Sequence, residues 1–547
     1  MLDRSTIDGL FPADLPESTV WERRYPDRVL PDGAMVTRFS PSPTGHLHIG
    51  GVYAAMLDKD LALHSGGTYF VRIEDTDQNR EVEGAKEQFW RAFEYFGIEP
   101  LEDDLTGTYG PYLQSARADI YLSYVRQLLH EGKAYLCFTT REDLAAVAAQ
   151  QQAAKAPTGY YGKWAAWRDA TPAAVNAALA DGKPYVIRFR SPGVAGNRVE
   201  FVDAIRGRIE MEDNYNDVVI LKSSDQPLRL PTYHFAHAVD DHLMRVNLVM
   251  RAEEWIPSVA LHLQLFDALG FPPIQYAHIA QLLKKDGSSK RKLSKRKDPE
   301  ASVDFYVESG FPVPAVLYYL RGLANGRLAT LPLADALVAP IVLAECGSSG
   351  ALVDLVKLED ICADHVASMT GEDIYQDVMK WAATHDTDLW RVLADNRDIA
   401  LRALAIERGD VPNPRKDLKK WSEFRAVYGY FFPELFPLVH DLSSTPLADI
   451  DPTVVRRVAA DFVGTYIPLA DPQEWFDQIR ALAARQGFAA TPKEHKANPD
   501  RYPGAVREVA QIIRVAITGS TRSPDLHTVT MALGKDEVVR RVAALIA

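Results

Sequence analysis

Residues 35 to 74 constrain the fold more than any other stretch of this chain. Met35 to Phe39 reads as a short extended run, after which Pro41 and Pro43 fix a loop by removing backbone donors and restricting φ. Past Gly50-Gly51, the run Val52 to His64 carries Tyr53, Met56, Leu57 and Leu61 at helical spacing. Gly66-Gly67 closes it as a C-terminal cap would. Thr68 to Glu74 then alternates, with Tyr69, Val71 and Ile73 on one face and Phe70, Arg72 and Glu74 on the other. Strand, loop, helix, strand is a βαβ unit, and His46 and His48 fall where its loop meets the helix N-terminus.

Such a place suits phosphate. Unpaired backbone N–H groups and the positive end of the helix dipole favour an anion, and Gly50 and Gly51 let a nucleotide approach the backbone. Imidazoles there can hydrogen-bond phosphate or ribose oxygens. Taken alone, a His-x-His pair is a weak signal, and its spacing favours a structural role well over a metal site.

A chain of 547 residues holds several domains, and 47% hydrophobic with 25% charged residues is the composition of an ordinary globular protein. The first residues show no apolar core of a secretory signal, and no apolar run is long enough for a bilayer, so no membrane association and a cytoplasmic location are expected. Cys137, Cys346 and Cys362 form no close pair, which argues against a disulfide framework or a thiolate zinc site. The formal charge of −13 excludes a uniformly basic coat, but a local basic surface can still guide a polyanion.

Residues 1–33 read as a polar extension. Helical runs follow at Glu81 to Phe96 and Ala116 to Leu129, and Ala134 to Phe138 reads as a strand. Arg141 to Gly182 is alanine-rich and helical, interrupted by Tyr160-Tyr161-Gly162-Lys163-Trp164. Strands return at Tyr185 to Arg190, Arg198 to Val202 and Asp217 to Lys222, so the middle reads as an α+β insertion. A second α/β half then appears. A strand through Val246, Leu248 and Met250 delivers Arg251, Glu253 and Glu254 to its C-terminal end, followed by a helix from Pro257 to Leu269 and a strand from Ile274 to Ile279. Ligands of open parallel sheets bind beyond the C-terminal strand ends, where Glu74, Arg251 and the loop after Arg38 would converge.

Between Lys284 and Lys297, eight of fourteen residues are Lys or Arg. A charge run is ordinarily a solvated face. This one follows a buried-looking strand and contains Gly287, Ser288 and Ser289, which suits a mobile loop that swings cations onto a polyphosphate. No Walker A pattern is present, so ATP would be held by another scaffold. Beyond Val303 helices dominate: Pro314 to Leu323, Pro332 to Ala344 bent at Pro340, Asp373 to Thr384, Leu389 to Glu407 and Asp417 to Tyr430. Val454 to Tyr466, Glu474 to Gln486, Val506 to Ile517 and Lys535 to Ile546 read the same way.

Three segments together, Arg38 to Gly51, Arg72-Ile73-Glu74-Asp75-Thr76-Asp77 and Lys292-Leu293-Ser294-Lys295-Arg296, resemble the class I glutamyl-tRNA synthetases. His48-Ile49-Gly50-Gly51 sits at the first class I signature, with Gly51 in place of its usual final His, and Lys292 to Arg296 sits at the second. Tyr233 to Met244, Arg251-Ala252-Glu253-Glu254-Trp255, Ala516-Ile517-Thr518-Gly519 and Leu533-Gly534-Lys535 also look like this family.

The resemblance implies an α/β Rossmann-type class I synthetase core with an α+β insertion, followed by an all-helical C-terminal half. Its expected divisions are an extension (1–33), a first Rossmann half (34–115), an acceptor-stem-binding insertion (116–236), a second Rossmann half (237–283), a stem-contact domain with the mobile basic loop (284–372) and a helical anticodon-binding domain (373–547). It implies ATP with Mg²⁺, L-glutamate and tRNA(Glu) as substrates and partners, and a monomer. His46, His48, Lys292 and Lys295 are expected to be catalytic, and Arg38, Ser42, Glu74, Tyr233, His237 and Arg251 to bind glutamate. Thr44, His48, Gly50, Gly51, Glu254, Leu293, Ser294 and Lys295 are expected to bind ATP.

Some positions depart from the family pattern. His237 stands where relatives often have Asn or an apolar residue, and could tune the pocket or simply pack. Cys137 is followed by Thr139, and Trp164 and Ala166 occupy the later ligand positions of zinc-bearing relatives, so no zinc is expected. Glu359-Asp360-Ile361 follows Lys357-Leu358 where relatives have Trp-Met-Asn. Rival readings are a glutaminyl enzyme, which would typically show Pro-Glu-Pro-Asn-Gly at Pro41 to Gly45, and a glutamyl-queuosine enzyme, which lacks the helical half. A metal-dependent hydrolase and a non-catalytic RNA-binding module are the others.

Overall fold

The computed structural model describes residues 2–409 and 411–546. It divides into two compact units, one made of residues up to Phe305 with Leu317–Asp354, the other of Tyr306–Val316 with the residues from Leu355 onward.

In the first unit Val36–Phe39 and Thr68–Val71 pair in parallel, Val36 opposite Thr68 and Phe39 opposite Val71, with the helix Ile49–Ser65 crossing between them. Gly66 caps that helix at φ 71°, and a Cβ on Gly67 would lie 1.9 Å from the Met35 carbonyl oxygen. The Gly-Gly pair is therefore what lets the returning strand start against the first one. The second strand ends at Val71 rather than Glu74, although Arg72 N and Glu74 N still donate to Phe39 O (3.0 Å) and Pro41 O (2.9 Å). Its expected one-sided alternation is absent because both faces are covered: Tyr69, Phe70 and Arg72 are all fully buried.

The second half repeats the design. Leu248–Ala252 and Gln275–Ile279 pair in parallel around the helix Val259–Leu269. Asn247 ties the halves together. Its side chain accepts from Val36 N at 2.8 Å and donates to Ala34 O at 2.8 Å, and its own N–H donates to Val36 O at 3.2 Å. The four-stranded sheet runs Gly207–Glu212, Arg198–Asp203, Gln275–Ile279, Leu248–Ala252, so a hairpin from the middle of the chain extends this sheet. The strand Gly207–Glu212 has no clear apolar alternation and was not expected. Ala134–Cys137, Val186–Phe189 and Val219–Leu221 form a separate antiparallel sheet.

Two expectations change. Residues 1–33 are not merely a polar lead-in, since the helices Arg4–Asp8 and Ser18–Arg24 bring Ile7, Phe11, Leu15 and Tyr25 into the same core as Tyr121, Leu128 and Phe266. The basic run is not an open loop either. Leu282–Asp286 and Ser289–Lys292 form a hairpin that turns at Gly287 (φ 60°).

The second unit is helical. Gly371–His385, Pro452–Thr465, Pro472–Arg485 and Val506–Thr518 match expectation closely, and Val366, Phe424, Trp475 and Ile513 share its core. The single helix expected over Leu389 to Glu407 is two, Thr387–Asp395 and Arg397–Leu404, broken at Asn396 (φ −124°, ψ 36°). Asn can satisfy the backbone with its own side chain, and Asn396 Nδ2 donates to Val392 O at 2.9 Å. Asp417 to Tyr430 shrinks to Phe424–Tyr428, while Leu355–Ser368 and Leu526–Leu533 are helices that were not foreseen. In the first unit, the helix expected to bend at Pro340 instead ends at Val338, because the residue before a proline is driven out of the helical region. Among the described residues, no helix is long and apolar enough to cross a membrane.

Candidate active site

A cavity of about 950 Å³ opens in the first unit beyond the C-terminal ends of the parallel strands. Its lining contains Arg38, Ser42, Thr44, His48, Gly50, Gly51, Glu74, Tyr233, Arg251, Glu254, Lys292, Leu293, Ser294 and Lys295. The two signature segments thus face one space. Two expected residues do not reach it. His46 is exposed outside the lining, because it lies in the loop two residues before the N-cap, His48, of the helix that starts at Ile49. His237 is fully buried behind Tyr233, with Nδ1 2.7 Å from Asp241 Oδ2 and Nε2 3.1 Å from the Tyr276 hydroxyl.

His48 is the N-cap of the helix Ile49–Ser65. Its Nδ1 accepts from Gly50 N at 2.9 Å, which places the ring proton on the buried Nε2, beside the Leu293 backbone. Burial above all, with Lys295 and Lys292 beside it, pushes the ring's pKa below the ordinary histidine value. A neutral imidazole with its N–H on Nε2 is a hydrogen-bond donor for an anionic oxygen.

The loop carrying His48 is braced against the chain that follows the second signature. His48 bridges to Ser302, Val303 N donates to Leu47 O at 3.3 Å, and Gln88 joins Leu47 N (2.7 Å) to Asp304 Oδ2 (2.6 Å). Asp298, 1% exposed, organises the second signature. It accepts from Arg291 at 2.6 and 2.7 Å and from Ser294 N at 2.9 Å, and the Arg291 contact holds its carboxyl well below the usual carboxylate range. Lys284 binds Glu300, and Lys292 binds Glu254, so several cations of the basic run are already paired. Lys295 makes no ion pair with any described residue, and partial desolvation lowers its pKa.

The end of the cavity lined by Arg38, Glu74 and Arg251 rests on buried charge. Arg72, fully buried, donates to Asp241 Oδ1 at 2.6 Å and to Glu74 Oε1 at 3.3 Å, and lies 3.6 Å from Asp240. Arg38 uses Nε on Asp241 at 3.1 Å, which leaves its terminal nitrogens on the cavity side. Burial raises Glu74 to about 7, against the opposing pull of Arg72 and Arg38. Arg251 lies over the Tyr276 ring at 4.7 Å. It donates through Nε to His278 Nε2 at 3.1 Å and through its terminal nitrogens to His262 Nδ1 at 3.3 Å. Burial lowers His262, which meets His234 Nδ1 at 2.9 Å, and brings His234 and His237 to about 4. These rings are neutral at ordinary pH, so the guanidinium groups hold the positive charge.

Sequence reasoning missed Arg72, Asp241, His262, His278, Asp203 and Asp298. Arg72 and Asp241 lie inside quoted motifs and could have been marked as charged residues in buried-looking elements. Nothing local marks the others. At the positions where zinc-bearing relatives carry ligands, Cys137 Sγ lies 3.3 Å from Thr139 Oγ1 and 3.3 Å from the Tyr160 hydroxyl. Among the described residues no three His, Cys, Asp or Glu side chains gather as a metal site.

Comparison with known proteins gives concordant matches. Residues 34–327 match the family described as tRNA synthetases class I (E and Q), catalytic domain, and residues 505–546 match an anticodon binding domain. The chain is 42% identical over 532 residues to a glutamate–tRNA ligase of Clostridium beijerinckii, covering 95% of each. It is 39% identical to that of Acetivibrio thermocellus, covering 99% of this chain and 100% of the other. A crystal structure of a glutamate tRNA ligase from Elizabethkingia meningosepticum in complex with its amino acid superposes with a TM-score of 0.74 at 27% identity, covering 94% of this chain and 99% of that one.

Proposed function

We infer the reaction from the premise that this chain belongs to the class I tRNA synthetases, in the family of glutamate–tRNA ligases. It is a ligase that activates L-glutamate with ATP and transfers it to the 3′ end of tRNA(Glu). A carboxylate oxygen of glutamate attacks the α-phosphorus, forming the acyl phosphate bond of glutamyl-adenylate as the bond to pyrophosphate breaks. The terminal ribose hydroxyl of the tRNA then attacks the acyl carbon, and AMP leaves.

The observation that carries this reading is the single cavity shared by the helix N-terminus at His48, the free ammonium of Lys295 and the guanidinium groups of Arg38 and Arg251. His48 Nε2–H with the Gly50-Gly51 backbone supports a phosphate site, and Lys295 supports stabilisation of the departing pyrophosphate. Positioning and charge neutralisation are the main contributions a protein makes to such transfers. Arg38 and Arg251 have the sign and fork geometry for the carboxylates of glutamate, and Glu74 the sign for its ammonium group. Glutamine is disfavoured because its neutral amide leaves a buried guanidinium underpaired. Mg²⁺ enters with the nucleotide. The cavity offers carboxylates in Glu254 and Asp77, in keeping with a metal held by one or two carboxylates and substrate phosphates. The domain divisions set out above, with an insertion on the acceptor stem, a helical anticodon domain and a monomeric enzyme, complete the proposal.

Glutamate-dependent exchange of pyrophosphate into ATP, measured with and without tRNA, tests it. Exchange is expected only when cognate tRNA is present, and no exchange with glutamate under either condition would overturn the reading. The pH dependence gives a second prediction. Glu74 binds an ammonium group only as a carboxylate, and its pKa is about 7. Below that pH it takes up a proton, so kcat/KM for glutamate should fall by about tenfold per pH unit and level off above it. Glu74→Gln should lower the plateau and flatten this acid limb.

A further inference from the structure

We propose that Asp203 is the positioning residue of the amino-acid site: acting through His278, it holds the guanidinium of Arg251 against the cavity. This deepens the functional reading above and rests on it. Asp203 lies outside both parallel halves, at the end of the hairpin strand Arg198–Asp203. It is the one hairpin position that pairs with the strand Gln275–Ile279, opposite Tyr276.

Its carboxylate is fully engaged. Oδ1 accepts from Ile205 N at 3.0 Å and Arg206 N at 2.9 Å, which closes the hairpin turn. Oδ2 accepts from His278 N at 3.1 Å and lies 2.6 Å from His278 Nδ1, with both side chains fully buried. That short contact fixes the tautomer. A carboxylate on Nδ1 takes the ring proton there, and Nε2 is left as an acceptor. Arg251 Nε donates to that Nε2 at 3.1 Å. The carboxylate, imidazole and guanidinium form a directed chain in which each donor has one acceptor, and a carboxylate behind a histidine orients the ring and raises its basicity.

The turn is secured on its other side as well. Arg206 Nε donates to His278 O at 2.9 Å, and its terminal nitrogen binds Glu253 Oε2 at 2.6 Å, two residues after Arg251. His262 meets Arg251 from the opposite side through Nδ1. The guanidinium therefore sits between two imidazole acceptors, and only one of them is oriented by a charge. Neutral rings without such an orienter can flip tautomer, and a flipped His278 would present N–H to N–H at Arg251.

The test is Asp203→Asn, assayed by tRNA-dependent pyrophosphate exchange alongside direct calorimetry of glutamate binding. Losing a charge-assisted hydrogen bond predicts a rise of about tenfold or more in KM and Kd for glutamate, with the KM for ATP within about twofold of wild type. In an Arg251→Gln background the same substitution should add almost nothing, because the group it positions is gone. If Asp203→Asn does not fold, His278 supplies the comparison. His278→Phe, which removes the acceptor of Arg251 Nε, should show the same glutamate-specific defect, and His278→Gln, which keeps one acceptor and one donor, a smaller one; a His278→Phe variant with an unchanged glutamate KM overturns the proposal.

A glutamate KM unchanged in Asp203→Asn, or one that rises together with the KM for ATP, overturns the proposal. So does a full effect of Asp203→Asn in the Arg251→Gln background. A wild-type chain that neither binds glutamate nor supports exchange is a different failure, since it overturns the functional reading itself.

Discussion

Replacing Lys295 with alanine is expected to slow adenylate formation by about a hundredfold to a thousandfold, the usual consequence of removing a preorganised charge from a site where negative charge develops. The reasoning is geometric. Lys295 lines the same cavity as His48 and makes no ion pair with the described residues, so its ammonium is available. Lys284, Arg291 and Lys292, by contrast, are engaged by Glu300, Asp298 and Glu254. The loss should fall on kcat for exchange, with little change in the KM for glutamate. The exposed side chain makes unfolding an inadequate explanation, and an unchanged circular dichroism spectrum would confirm that. A variant with wild-type exchange rates would remove Lys295 from the mechanism and leave Lys292 as the cation to test.

Arg72→Leu is expected to cost about 3–5 kcal/mol of stability, the range found when one partner of a buried charge cluster is deleted. Arg72 is fully buried and faces Asp240, Asp241 and Glu74. Asp240 retains Arg117 at 2.7 Å and the Tyr121 hydroxyl at 2.7 Å, and Asp241 retains Arg38, but Glu74 loses its nearest cation. Burial is the largest influence on Glu74 and already favours its proton, so without Arg72 its pKa should rise further. The urea midpoint should fall, and the acid limb of kcat/KM for glutamate should move to higher pH. If neither moves, the carboxylates are held by the remaining groups and Arg72 is not the hub of the site.

The cavity-lining side of this site was legible because it is carried by short segments. Pro41 to Gly51, Arg72 to Asp77 and Lys292 to Arg296 each specify their own local geometry through prolines, glycines and a helix start. The supporting side was not legible. Arg72 meets Asp241 across 169 residues, His278 meets Asp203 across 75, and Gln88 reaches Asp304 across 216. No periodicity links such pairs. His237 shows the same limit. It lies in a motif and on the helix Tyr233–Leu243, yet its angular position turns it toward Asp241 and Tyr276 instead of the cavity.

The basic run taught a related point. Its composition suggested a solvated, mobile loop, but Lys284 and Arg291 are cross-strand neighbours held by Asp298, beyond the end of the run. Charge counts describe a segment by itself, whereas its conformation was settled by acids outside it. The N-terminal 33 residues make the same case for apolar groups. Ile7, Phe11 and Leu15 fall at helical intervals, but Gly9, Pro12 and Pro16 break any continuous helix through them, and with Tyr25 they are buried only because another part of the chain covers them.

By itself, then, the amino-acid order determined the βαβ halves, the glycine-capped turns and the short segments that line the cavity, since each depends on interactions within a few residues. Tertiary structure alone decided which charges are buried together, which histidine orients an arginine and which cation stays free. Those outcomes depend on desolvation and on partners brought close from distant parts of the chain, and neither exists until the chain has folded.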